Sequence, residues 1–183
     1  ARADLAGDPV LESIVNALNL ELGAGTYAFI DAGVIGTDAI KVGMIYKPGS
    51  VTPVGDFEIL DSSYDPAFID DKSRPVLAQT FEDNNGGVFT VAVAHLKSKG
   101  SACDDVGDPD IGDFQGECNL TRTAAAEVMV DWFENHLAVV SGDPDILLVG
   151  DLNSYAKEDP IDVFIAAGYV DLADEFNFGP YSY

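Results

Sequence analysis

Leu147-Leu148-Val149-Gly150-Asp151-Leu152-Asn153 is an apolar run that breaks off into Gly-Asp-x-Asn. Together with Asp145 and Ile146, and bounded upstream by Gly142-Asp143-Pro144, it reads as a short buried strand. Its carboxyl end delivers two polar side chains. Period-two alternation predicts Asp151 and Asn153 on one face, with Leu152 turned the other way. Ligands of open α/β sheets bind outside such strand ends. A carboxylate there orients water or holds a cation, and an adjacent amide donates to a phosphoryl oxygen without adding charge. An Asx turn ahead of the next helix would account for the same two residues without any ligand.

A second strand finishes in the same manner. Phe89-Thr90-Val91-Ala92-Val93-Ala94-His95-Leu96-Lys97 places His95 and Lys97 on a common face at its exit, and Val88–Lys97 is the clearest strand of the chain. The other histidine, His136, falls at the end of an amphipathic helix, where capping carbonyls would explain it. That helix runs from Thr121 and lines up Ala125, Val128, Met129, Trp132, Phe133 and Leu137, so Met129 and Trp132 are expected in the core. An opening helix from Asp8 to about Leu22 carries Val10, Leu11, Ile14, Val15, Leu18 and Leu22 at helical spacing, with Pro9 in its first turn. Extended pieces are predicted at Tyr27–Ile30, Ile40–Tyr46, Phe57–Leu60 and Val76–Phe81, a helix at Pro160–Ala167 and a strand at Tyr169–Leu172. Alternating strands and helices argue for an α/β fold with sheets inside and helices outside.

The chain has 183 residues, of which 32 are acidic and 9 basic, for a formal charge of −23. A single domain spanning 1–183 fits that length, and 47% hydrophobic residues supply a real core. No apolar stretch approaches the ~20 residues that cross a bilayer, and nothing in the sequence calls for a protein partner. The acidic excess suits high-salt surroundings and carries no basic tail that would advertise nucleic-acid binding. The basic residues are nonetheless concentrated. Lys41, Lys47, Lys72, Arg74, Lys97, Lys99 and Arg122 all lie in the middle of the chain, many beside His95 or at strand ends. Arg74, just ahead of Pro75 and a strand, is the candidate for a bidentate phosphate clamp. With a Debye length of ~8 Å, a contacting cation acts on a phosphodiester while distant acids are screened. Edge lysines that block aggregation are the plainer account of the same charges.

Cys103 and Cys118 are the only cysteines and sit in a polar stretch, Gly100–Asn119. A disulfide between them would close a loop of about 15 residues, worth roughly 3 kcal/mol, and would point to an exported protein, secreted or periplasmic. Two free thiols in a reducing cytosol, or half of a zinc site, are the alternatives, and no histidine stands near at metal spacing. Asp104, Asp105, Asp108, Asp110, Asp113 and Glu117 crowd this loop without an EF-hand pattern. A solvated acidic loop is expected there, with Ca2+ as the alternative.

Five pieces taken in order resemble the endonuclease/exonuclease/phosphatase superfamily, whose members include DNase I-like nucleases, and look closest to bacterial extracellular nucleases. They are Ile40-Lys41-Val42-Gly43-Met44-Ile45-Tyr46-Lys47-Pro48, Arg74-Pro75-Val76-Leu77, Ala94-His95-Leu96-Lys97-Ser98-Lys99-Gly100, Cys118-Asn119-Leu120-Thr121-Arg122 and Gly150-Asp151-Leu152-Asn153. The resemblance implies a two-sheet, four-layer α/β sandwich without its first and last strands. It also implies divalent-metal-dependent hydrolysis of phosphodiesters with Mg2+ or Mn2+, acting on DNA and on RNA as a second substrate. Asp151 would position the attacking water and serve as metal ligand, and Asn153 would hold the scissile phosphate. His95 would lend a proton or stabilise the transition state, while Arg74 and, more weakly, Lys97 would contact substrate phosphate.

The family pattern also includes a metal-binding glutamate on a strand ahead of the opening helix and a late Asp-His pair. No residues here match either, so Ala1–Tyr183 is read as a partial domain, with processing or truncation ahead of Ala1, and is expected to cleave DNA feebly or not at all alone. A glutamate that supports the histidine in DNase I-like members is replaced by Ile40, with Asp38 the nearest acid. Two rival readings remain: hydrolysis of a phospholipid or small phosphate ester within the same superfamily, and a non-catalytic, acidic, cation-binding surface module.

Overall fold

The computed structural model describes residues 8–176. Helix α1 (Pro9–Leu22) opens it, with Pro9 in the first turn and Asp8 as N-cap, whose carboxylate accepts from the amides of Val10 and Leu11. Burial by itself would push the Asp8 carboxyl up. The Lys41 ammonium, 2.7 Å away, and the two capping amides more than offset that and hold it below the usual carboxylate range. Leu11 then packs onto Gly43, where an added Cβ would come within 2.9 Å of the leucine Cδ1. This is what seats α1 beside the first sheet. Sequence periodicity predicts a broad apolar stripe on α1. Only Val15 is buried, while Val10, Ile14 and Leu22 stay exposed, because no described element covers that side of the helix.

Strands β1 (Ala28–Phe29) and β2 (Ile45–Tyr46) form a two-stranded antiparallel sheet. The extended piece expected from Ile40 shortens to its last two residues. The principal sheet has the order β3-β4-β5-β6, built from Val51–Leu60, Arg74–Asp83, Val88–His95 and Ile146–Asp151. Its first three strands are antiparallel neighbours, joined between β4 and β5 by the turn at Asn84–Gly87. Pro53 and Gly55 mark a sequence break, yet β3 runs through both. An edge strand tolerates a missing N–H, and the register shift between Val54 and Glu58 absorbs the irregularity.

Period-two alternation splits the sheet into two faces. Val76, Ala78, Ala92, Ala94 and Leu96 pack under α2 (Asn119–Trp132) with Ala125, Met129, Trp132 and Phe133, joined by Phe164 of α4 (Asp159–Ala166). Leu77 and Phe81 face the other way, onto Ile30, Ile35, Val42 and Met44 around the small sheet. Two helices on one face and a second sheet on the other make a mixed α/β fold. After Trp132 the helix widens into a π-helical turn (Phe133–Leu137) and ends in α3 (Ala138–Ser141). His136 does not cap carbonyls as expected. Its ring stacks on Trp132 at 11° and its Nε2 lies 3.0 Å from Glu58 Oε2 on β3, a partner that the widened turn brings within reach. The strand predicted at Tyr169–Leu172 is absent: Asp171 caps the short helix α5 (Leu172–Glu175) instead. No described helix is long and apolar enough to cross a membrane.

Cys103 and Cys118 are joined in a disulfide that closes a loop with a sequence separation of 15. Inside that loop Asp108 is buried and accepts from both the amide and the hydroxyl of Thr121, at 2.7 Å each. One acid of the cluster thus accepts from the first turn of α2, whose N-cap is Cys118, where the positive end of the helix favours a carboxylate. Asp110 and Asp113 close local turns onto the amides of Gly112 and Gln115. Reduction of the disulfide, or Cys118→Ser, should cost about 3 kcal/mol. Thermal unfolding with and without reductant should then show a fall of roughly 6–12 °C.

Candidate functional site

The site depends on how three strand ends line up. β6 lies parallel to β5, with Ala94 opposite Gly150 and His95 opposite Asp151. The Leu96 amide extends this ladder to Asp151 O at 3.0 Å. Gly150 adopts φ 125°, and a Cβ there would sit 2.0 Å from Ala94 O, so only glycine lets the strands close at this level. On the far side of β5, a register shift between Arg74 and Leu77 sets Arg74 opposite His95. Without that bulge the residue opposite would be Pro75, so the bulge re-aims the guanidinium. Arg74, His95 and Asp151 therefore form one row across β4, β5 and β6. By alternation His95 shares the face of Phe89, Val91 and Val93, which turn toward the small sheet.

His95 Nε2 and Asp151 Oδ2 are 3.9 Å apart, too far for a direct hydrogen bond, and their side chains are 29% and 51% exposed. Solvent reaches both. Asn153 joins them by a different route from the one predicted. The strand stops at Asp151, and Asn153 takes up a left-handed conformation at φ 49°. Its amide N–H donates to Asp151 Oδ1 at 2.8 Å, and its Nδ2 donates to Leu96 O at 2.9 Å. The Asx turn folds the asparagine back over the end of β5, and its second amide N–H has no partner among the described residues.

Arg74 Nη2 is bound to Asp38 Oδ2 at 2.9 Å, while its Nε is a buried donor with no partner among the described residues. Asp38 thus braces the guanidinium and not the imidazole. Lys97 lies beyond the end of β5 and is buried, with its Nζ bound to Ser101 Oγ at 2.6 Å and Ser98 O at 3.2 Å. Burial holds its ammonium below the usual lysine value, helped by the like charges of Lys72, Arg74 and Arg122. It fastens its loop to itself and faces the site only through that charge.

Sequence reasoning missed the supports behind this row. Arg122 is fully buried and donates from Nη1 to Lys97 O and Glu117 O and from Nη2 to Gln115 O, so it ties the exit of β5 to the disulfide loop. Burial pushes its pKa down. Lys99 pairs with Glu158 and lies 4.4 Å from the centre of the Tyr155 ring, which joins the loops that follow β5 and β6. The density of cations from Lys97 to Arg122 marked the region, but only contacts separate braces from ligands. A divalent ion can be tested against Asp151. Its Oδ2 accepts no hydrogen bond among the described residues, and the carboxylate is half exposed. Mg2+ commonly takes one or two carboxylates and completes its shell with water and substrate phosphate, which this group can serve. No set of three or more His, Cys, Asp or Glu side chains among the described residues is arranged to hold an ion outright.

Gly150→Ala should destabilise by about 3 kcal/mol or more, because the new methyl collides with backbone and not with a flexible tip. Asp151→Asn, at an exposed side chain, should move the melting midpoint little, within about 0.5 kcal/mol. A pH test isolates Lys97. Its folded pKa lies below the unfolded 10.5, so just under pH 10.5 the unfolded chain binds more protons and stability rises with pH. Denaturant titrations between neutral pH and 10.5 should show that rise flattened in Lys97→Met. No protein-family model matches the chain and no curated protein matches it, so its function is argued from the arrangement of these side chains.

Proposed function

We propose that the chain is part of a DNase I-like domain of the endonuclease/exonuclease/phosphatase superfamily, one that hydrolyses phosphodiester bonds of DNA, and of RNA as a second substrate, with a divalent metal, and that cleaves feebly or not at all as these residues alone. The observation that carries this reading is the row Arg74–His95–Asp151 across adjacent strands, with Asn153 folded back beside it. It gathers a base, a proton donor and two neutral or cationic hydrogen-bond donors at one solvent-reached sheet edge. The disulfide is in keeping with a secreted or periplasmic protein. The placing of α1 beside the small sheet and of α2 and α4 on the large one supports the reading as a four-layer sandwich.

In this reading Asp151 orients the attacking water and draws off its proton, while His95 across the ladder gives a proton or a hydrogen bond to the phosphoryl group. The second amide N–H of Asn153 and the Arg74 guanidinium hold phosphoryl oxygens as negative charge develops on them. Lys97 adds positive potential from behind. A bound Mg2+ or Mn2+ at Asp151 would supply charge neutralisation at the phosphate.

Nicking of supercoiled plasmid in Mg2+ or Mn2+ tests the proposal, in this chain and in the longest natural polypeptide carrying it. Asp151→Asn and His95→Ala, with melting midpoints unchanged, should each lose about 100-fold or more. Undiminished nicking in both removes the assigned roles. No nicking in the longer polypeptide favours the acidic cation-binding surface module, and turnover of phospholipid or small phosphate esters in place of plasmid favours the other rival.

A further inference from the structure

Tyr155 lies two residues beyond Asn153 and is 70% exposed. Two residues of chain span at most ~7 Å, so the Tyr155 backbone stays close to Asn153. It is nevertheless held. The Tyr155 amide donates to Glu158 Oε2 at 3.2 Å, and the Glu158 amide returns a bond to Tyr155 O at 3.0 Å. Glu158 is itself buried and grips the Lys99 ammonium, with 2.6 Å to Oε2. That ammonium sits 4.4 Å from the centre of the tyrosine ring. The Lys99 stem is packed in turn against Gly116, where a Cβ would come within 3.1 Å of Lys99 Cδ.

An aromatic ring fixed on one face by a clamped cation and left largely in solvent has its other face free. Such a ring loses little freedom when a flat partner stacks on it, and the cation–π contact has already fixed its orientation. No core contact explains the tyrosine: it is absent from both hydrophobic clusters. Tyrosine and arginine or lysine in this relation form the stacking platforms on which single-stranded nucleic acids lay successive bases.

We propose that Tyr155, backed by Lys99 and Glu158, is the seat of an unpaired nucleobase next to the phosphate held by Arg74 and Asn153. The proposal rests on the nuclease reading and narrows its substrate. A base inside a duplex is stacked on its neighbours on both faces, so it reaches the ring only from a single-stranded or locally opened strand. The preferred substrate is therefore a strand with an unpaired base flanking the contacted phosphate.

Fluorescence anisotropy separates the two levels of the argument. The probes are an end-labelled oligothymidylate and an abasic deoxyribose-phosphate strand of equal length, in EDTA at physiological ionic strength, with the melting midpoint of each variant checked. The wild-type chain should bind the base-bearing strand about 10-fold more tightly than the abasic one. Tyr155→Ala should bring that ratio to about one without weakening the abasic strand, and Tyr155→Phe should preserve it. Arg74→Gln should weaken both strands alike, the signature of the phosphate contact. Equal wild-type binding of the two strands, still sensitive to Arg74→Gln, overturns the base seat and leaves the phosphate site standing. A ratio kept in Tyr155→Ala likewise overturns it. Binding of neither strand overturns both.

Discussion

The parallel pairing of β5 with β6 is the constraint on which everything chemical in this molecule depends. Its closest point is Gly150 against Ala94, where the backbones come near enough that a methyl group has no room. One residue further on, that pairing makes His95 and Asp151 neighbours although they are 56 positions apart in the chain, by their numbering. A slip of one residue would turn Asp151 to the opposite face and put the imidazole beside a glycine. The apolar packing beneath guards against that slip, because Ala92, Ala94, Ile146 and Leu148 must all meet the helical layer at once. Stability of the core and geometry of the site are therefore one requirement.

Much of this was legible in the amino-acid sequence, and for physical reasons. Two apolar runs that end abruptly in polar residues identify strands and their exits, and the amphipathic period over Ala125–Leu137 identifies the helix that covers them. That the two exits lie side by side is a matter of strand order, which neither alternation nor the strand-end rule fixes. The path of Asn153 was legible only as a pair of alternatives, extended or Asx turn, and the structure adopts the turn while keeping the asparagine at the site. The role of Arg74 as a row member depends on a bulge that propensity does not foretell. Where local pattern misled, tertiary partners had won: Glu58 drew His136 away from the helix carbonyls, and Asp171 began a helix where a strand was expected.

The cations show why a count of charges is a poor guide to their use. Lys72 is taken by Asp105, Lys41 by Asp8, Lys99 by Glu158, and Arg122 by three carbonyls in the interior. The sequence groups these side chains as one basic cluster. The structure divides them into fasteners of the loops that surround the row and a small remainder that faces it. For the proposed chemistry that division matters, since donors help a transition state only when they are already in place.

A formal charge of −23 and the proposed site for phosphate are compatible because potential is local. The neighbours of Lys97 report the field at this end of the sheet. Lys72, Arg74 and Arg122 all disfavour its ammonium, against a single opposing carboxylate, Asp105. Beyond about a Debye length of ~8 Å the surface acids are screened from a bound phosphodiester, yet at low ionic strength they would repel the approach of a long polyanion. Association should then be governed by salt in the direction opposite to that of a basic nucleic-acid binder, faster as ionic strength rises until the contacts to Arg74 themselves begin to be screened.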